Sequence, residues 1–94
     1  MKKLFVIVDQ SLSKRQQFVQ GAHAVAQHLV DFPNSEWKNS YLVMLKTPDL
    51  KSYMDLCTEK GIKFSQFVEP YYDNMITGIS ALNIGEHVDS LKLI

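Results

Sequence analysis

Gln16, Gln20, His23 and Gln27 follow one another at offsets of four, seven and eleven residues. On a helix that spacing gathers three amides and an imidazole into one narrow stripe. An imidazole kept neutral accepts a proton from water, and amide or hydroxyl groups stabilise the oxyanion that forms when the water attacks a carbonyl. In such a scheme His23 is the base, and Gln20 and Thr77 are the donors. His23 sits beside an apolar arc, and Lys14 and Arg15 are close in sequence; both circumstances favour the neutral ring. The competing reading is a solvated helix face on which His23 is an ordinary surface residue.

A second cluster, Phe67-Val68-Glu69-Pro70-Tyr71-Tyr72-Asp73-Asn74, crowds carboxylates, phenols and an amide at the end of an expected strand. Loops at strand ends are where sites concentrate. Glu69, Tyr71, Asp73 and Asn74 are therefore candidate substrate contacts, and tyrosine rings offer a surface on which a base or ribose stacks. The alternative is a polar loop whose rings pack on neighbouring helices. Other chemistries lack their residues. The chain has no glycine-rich phosphate loop, no nucleophile elbow and no paired carboxylates on a helix face. His28 and His87 have no metal-ligand spacing with a third ligand, so neither metal nor cofactor is expected.

The elements that must position these groups follow from hydrophobic pattern. Leu4 to Val8 is an apolar, β-branched run that predicts a strand covered on both faces. Ser13 to Gln16 fits a capping box that opens a helix near Lys14 and continues to about Asp31. Phe18, Ala22, Val25 and Leu29, widened by Val19, Ala26 and Val30, form the arc expected to pack on the sheet. Pro33, Asn34 and Ser35 make a turn, with Trp37 as its anchor, before a second strand over Ser40 to Leu45. Thr47-Pro48-Asp49 predicts an N-cap at Thr47 and a helix to Lys60, closed by Gly61 and burying Leu50, Tyr53, Met54 and Cys57. Ile62 to Val68 and Ile76 to Leu82 are the third and fourth strands, with Thr77 and Ile79 on one face; Leu91 and Leu93 close the tail. The expected fold is a single three-layer α/β domain over residues 1–94, a four-stranded mixed sheet flanked by helices.

Ninety-four residues close one core. Ten basic residues balance ten acidic ones, which argues against strong nonspecific nucleic-acid binding. Lys2, Lys3, Lys14 and Arg15 nevertheless form either a local phosphate-binding patch or scattered solubilising charge. The lone Cys57 excludes an internal disulfide and suits a reducing, cytoplasmic setting, and no apolar run approaches the roughly 20 residues that span a bilayer.

Phe18-Val19-Gln20-Gly21-Ala22-His23-Ala24 resembles the "AAQ-x-x-HA" helix of the type 2 peptidyl-tRNA hydrolases, and Phe67 to Ser80 resembles their "F-x-EPD-x-x-N-x-LTAIA" stretch. The similarity extends over nearly the whole chain. It implies hydrolysis of the ester joining a peptide or aminoacyl group to the 3′ ribose of tRNA, no cofactor, a homodimer, and site roles for Gln20, His23, Asn74 and Thr77. Two positions depart from the pattern: the family's lysine seven residues before the histidine is Gln16, and the aspartate of "EPD" is Tyr71. Lys14 and Asp73 are the nearest replacements. Two functions follow from this mixture, a hydrolase using His23 and a catalytically silent domain binding an RNA end, a nucleotide or a protein.

Overall fold

The computed structural model describes residues 2–94. Strand β1 (Lys3–Asp9) leads into helix α1 (Lys14–Asp31), followed by β2 (Tyr41–Thr47), α2 (Leu50–Lys60), β3 (Phe64–Glu69), a single 3₁₀ turn (Pro70–Tyr72) and β4 (Met75–Ala81). A second 3₁₀ turn (Gly85–His87) precedes a short β5 (Lys92–Leu93). The sheet runs β3-β4-β1-β2-β5, with β1 and β2 parallel and the other pairs antiparallel.

The sheet therefore has five strands, not the four expected. The extra strand is the closing tail: Leu93 and Lys92 pair antiparallel with Leu45 and Lys46 of β2. Two residues carry no alternation from which a strand can be read, and this one exists only because β2 offers it an edge. The second helix also starts later than expected. Asp49, not Thr47, is its N-cap, accepting from the Ser52 amide at 3.2 Å, while Thr47 Oγ1 accepts from the Asp49 amide.

Each face of the sheet has its own core. On one, Ile7, Leu45, Ile79 and Ala81 pack with Leu50 and Cys57 of α2 and with Ile84 and Val88. On the other, Leu4, Val6 and Val8 meet Ala24 of α1 and Trp37. Trp37 anchors its loop by donating from Nε1 to the Tyr41 carbonyl at 2.8 Å. Cys57 is fully buried, and burial raises its thiol pKa. Among the described residues no helix is long and apolar enough to cross a membrane.

The first helix is turned relative to its expected orientation. Its buried residues are Gln17, Gln20, Gly21, Ala24 and His28, whereas Phe18 is 49% and Leu29 48% exposed. The reason lies in what the sheet presents. Beneath α1 are Ser65, Thr77, Gly78 and Ser80, a small and polar strip that matches amides and alanine rather than bulky apolar side chains. Ser80 Oγ donates to the Ala24 carbonyl at 2.8 Å, and a β-carbon on Gly78 would lie only 3.4 Å from the Ala24 β-carbon and the Gln20 carbonyl oxygen. The helix thus approaches the sheet closely and leaves most of its apolar arc outside, with Val25 alone half-buried against the Trp37 core.

This orientation predicts opposite responses on the two sides of α1. Phe18→Lys and Leu29→Lys should shift unfolding stability by no more than about 0.5 kcal/mol. Ala24→Leu, which overpacks the closest approach, should cost about 1–3 kcal/mol. Urea denaturation of the three variants checks the ordering, and a reversed order would put the arc back in the core.

Candidate functional site

Gln20 is the hub of the polar residues on α1. It is fully buried, yet its side chain is nearly saturated: Nε2 donates to Glu69 Oε1 at 3.0 Å and to Gln16 Oε1 at 3.3 Å, and Oε1 accepts from Thr77 Oγ1 at 2.7 Å. Glu69 ends β3 and Thr77 lies in β4, so one amide ties the helix to both strands.

Thr77 reaches Gln20 through an irregularity in β4. Phe67 pairs with Gly78 and Val68 with Ile76, leaving Thr77 as an unpaired extra residue. A bulge of this kind turns two successive side chains to one face. Ile76 and Ile79 accordingly pack toward α2, while Thr77 faces α1. Thr77 and Ile79 therefore lie on opposite faces, against the expectation that they share one; strict alternation does not survive an inserted residue.

His23 is exposed, with its ring flat on Phe67 of β3, centroids 4.2 Å apart and planes within 4°. Its imidazole is therefore fixed in attitude while open to solvent. Gln16 is half-buried next to the hub; with its Oε1 turned to Gln20, its amide hydrogens point elsewhere. Lys14 and Arg15 are exposed in the first turn of α1, where Ser13 Oγ accepts from the Gln16 amide at 3.2 Å. Gln27 stands apart from the hub and donates to Asp31 at 2.8 Å.

The loop after β3 projects outward. Tyr71, 92% exposed, crowns the 3₁₀ turn, and Asp73 and Asn74 follow in left-handed conformations with φ of 52° and 62°. Asp and Asn tolerate that region better than other side chains. The Asn74 amide donates back to the Glu69 carbonyl at 3.1 Å, so the turn closes on the residue that Gln20 holds. The structure thus joins Gln16, Gln20, Glu69 and Thr77 directly, stations His23 beside them on Phe67, and leaves Tyr71, Asp73 and Asn74 on an open loop.

Two contributors were not legible as site residues. Gln17 is buried and donates from Nε2 to the Leu12 carbonyl at 2.9 Å and the Gln10 carbonyl at 3.3 Å, holding the loop that launches α1. Phe67 carries the His23 ring, a contact between residues far apart in sequence. Adjacency of Gln17 to the capping residues hinted at the first; nothing local signals the second.

A cavity of about 590 Å³ lies at the other end of α1, bordered by His28, Phe32, Ser35, Ile62, Lys63 and Leu82 among others. Part of its polar rim is engaged: Glu36 pairs with Lys2 at 3.1 Å, Asp31 accepts from Gln27, and His28 Nε2 meets Ser35 Oγ at 2.7 Å. His28 is buried, its Nδ1 has no partner among the described residues, and desolvation lowers its pKa, opposed in part by Asp31. Among the described residues no three His, Cys, Asp or Glu side chains converge as metal ligands.

No protein-family model matches the chain, and no curated protein matches it significantly. Among solved structures, a protein of unknown function from Agrobacterium tumefaciens strain C58 is similar, with a TM-score of 0.73 at 14% identity over 99% of this chain and 97% of that one. At that identity the likeness concerns the fold alone.

Thr77→Val keeps the shape but leaves the Gln20 carbonyl oxygen buried without its donor, and should cost about 1–3 kcal/mol in denaturant unfolding; an unchanged midpoint would show the bond to be idle. For His28, the folded pKa lies below the unfolded value of about 6.5, so the neutral-state stability is complete above that pH and lost as pH falls beneath it. Wild type should therefore lose more stability between about pH 7.5 and about pH 5 than His28→Gln. Equal losses would remove His28 from the cause.

Proposed function

We propose that this domain hydrolyses the ester between a peptidyl or aminoacyl group and the 3′ ribose of tRNA, working in the cytoplasm. The observation that carries the reading is the exposed His23 imidazole, held flat on Phe67 beside the Gln16-Gln20-Glu69-Thr77 network. It accords with the two motifs that resemble the type 2 peptidyl-tRNA hydrolases.

In this scheme neutral His23 takes a proton from water as the water oxygen attacks the ester carbonyl. The tetrahedral intermediate collapses with cleavage of the bond to the ribose oxygen, and His23 returns the proton to that oxygen, giving a tRNA 3′ hydroxyl and a carboxylic acid that releases its remaining proton to solvent. Gln16, whose Oε1 is taken by Gln20, offers its Nε2 as the donor to the oxyanion. Gln20 and Thr77, both fully buried, act as positioning residues that hold Gln16 and the 69–77 turn in place. Lys14 and Arg15, exposed at the positive end of the α1 dipole, meet backbone phosphates, and Tyr71 stacks on the terminal base.

A second reading is supported by a specific feature: among the described residues no carboxylate hydrogen-bonds to His23 to orient it or to stabilise its cationic form. That favours binding of an RNA end without turnover. The deciding assay is release of peptide from peptidyl-tRNA by pure protein. Hydrolysis is expected, with His23→Ala slower by about 10²–10⁴-fold. No release above buffer would retire the hydrolase reading; tRNA acceptor-stem binding abolished by Tyr71→Ala would then establish the second.

A further inference from the structure

On the α1 side of the sheet, the helix covers only part of the surface. It packs across β3, β4 and β1, with Ala24 on Ser80 of β4 and Gly21 over Val6 and Val8 of β1. It reaches β2 at Met44, whose Cε occupies the place that a β-carbon on Gly21 would take. Met44 therefore points to this side, and alternation turns Leu42 and Lys46 the same way; pairing with β5 adds Lys92 and Ile94. Leu42 is 44% exposed. Strands lie about 4.8 Å apart and packed helices about 8–10 Å. A helix seated over β4 and β1 thus leaves room for one more, two strands along, over β2 and β5.

The apolar arc of α1 forms the wall of that space. Phe18, Val25 and Leu29 lie three residues before, four after and eight after Gly21, on the flank of the helix that faces β2. His23 occupies the opposite flank, over Phe67 of β3. Phe18 and Leu29 stand about 16 Å apart along the axis, three turns of helix. At the Leu29 end the surface sinks into a hollow of about 360 Å³ bordered by Val25, Leu29, Trp37, Lys38 and Asn39.

Charge defines what this groove accepts. Lys14, seven residues before Gly21, shares its side of α1. Because α1 runs against β2, Lys46 and Lys92 lie toward the same end, and Lys38 stands at the other. None of these four lysines makes a salt bridge among the described residues. The acids of the adjoining segment are engaged: Asp31 accepts from Gln27, and Glu36 pairs with Lys2. A chain whose charges balance overall thus places lysines at both ends of an apolar groove. That pattern is complementary to an amphipathic helix whose apolar face is flanked by carboxylates.

We propose that the groove between α1 and the β2–β5 edge docks an acidic amphipathic helix of a partner protein. The helix is about three turns long, extends the α1 layer over β2 and β5, and lowers one apolar side chain into the hollow beside Trp37. The surface lies on the flank of α1 away from His23, so the proposal depends on neither reading of that site.

The probe is a fluorescently labelled, stapled helix of about 14 residues, with leucines along one face and glutamates on both sides of it. Its anisotropy should rise on titration with wild type, whereas the same helix carrying lysines for glutamates should bind at least about tenfold more weakly. Phe18→Lys and Leu29→Lys, with folding checked by circular dichroism, should each weaken the glutamate helix by about tenfold or more. Val30→Lys, exposed on the same helix but turned from the groove, should leave it unchanged. Lys46→Glu combined with Lys92→Glu should reverse the preference between the two helices. Absence of binding up to about 1 mM peptide, equal affinity for both helices, or a Val30→Lys loss equal to that of Leu29→Lys would overturn the proposal. So would sedimentation with phosphatidylglycerol vesicles that Leu29→Lys abolishes, or a wild-type dimer that Leu29→Lys splits, since each assigns the groove to a different occupant.

Discussion

Glu69 can accept hydrogen bonds but not donate them, so Gln20 must turn its Nε2 toward it and its Oε1 toward Thr77. Thr77 must then donate, and Gln16 must accept. One carboxylate at the end of β3 thereby dictates the sense of a chain of bonds through the interior. A hydrogen-bonding group buried in apolar surroundings is costly when left unpaired, and the chain leaves Gln20 almost saturated. The bulge in β4, the rotation of α1 and the course of the 69–75 turn all answer to that requirement.

Much of the architecture could be read from the residues. The apolar run located β1, one residue short at each end, the Ser13 cap marked the start of α1, and Gly61 does adopt the left-handed conformation that ends α2. Trp37 anchors its loop as its bulk suggested. The rotation of α1 could not be read in the same way. Hydrophobic periodicity assumes that a helix buries its most apolar side, but here part of the sheet surface beneath it, along β3 and β4, is built of glycine, serine and threonine, beside the valines of β1. Polarity on the strand selects polarity on the helix, and that match joins residues 49 and 57 positions apart. The fifth strand escaped for a simpler reason, being too short to show a period.

The stripe of amides and imidazole divides into two kinds of residue once folded. Gln20 is sealed within the interior and does structural service, whereas His23, one turn on, stays open to solvent with a defined ring plane. Residues of similar chemistry at helical spacing thus have different access to a substrate, because α1 meets β3 and β4 along only part of its circumference. The likeness to an Agrobacterium tumefaciens protein at 14% identity indicates that this framework tolerates extensive sequence change.

The sealed thiol of Cys57 has a practical consequence. Beneath α2, and with its ionisation suppressed by burial, it is closed to alkylating reagents while the helix stays seated. Labelling at this sulfur then counts only molecules in which the α2 side of the domain has come away from the sheet. As the chain has no other cysteine, it carries a built-in clock for its own opening.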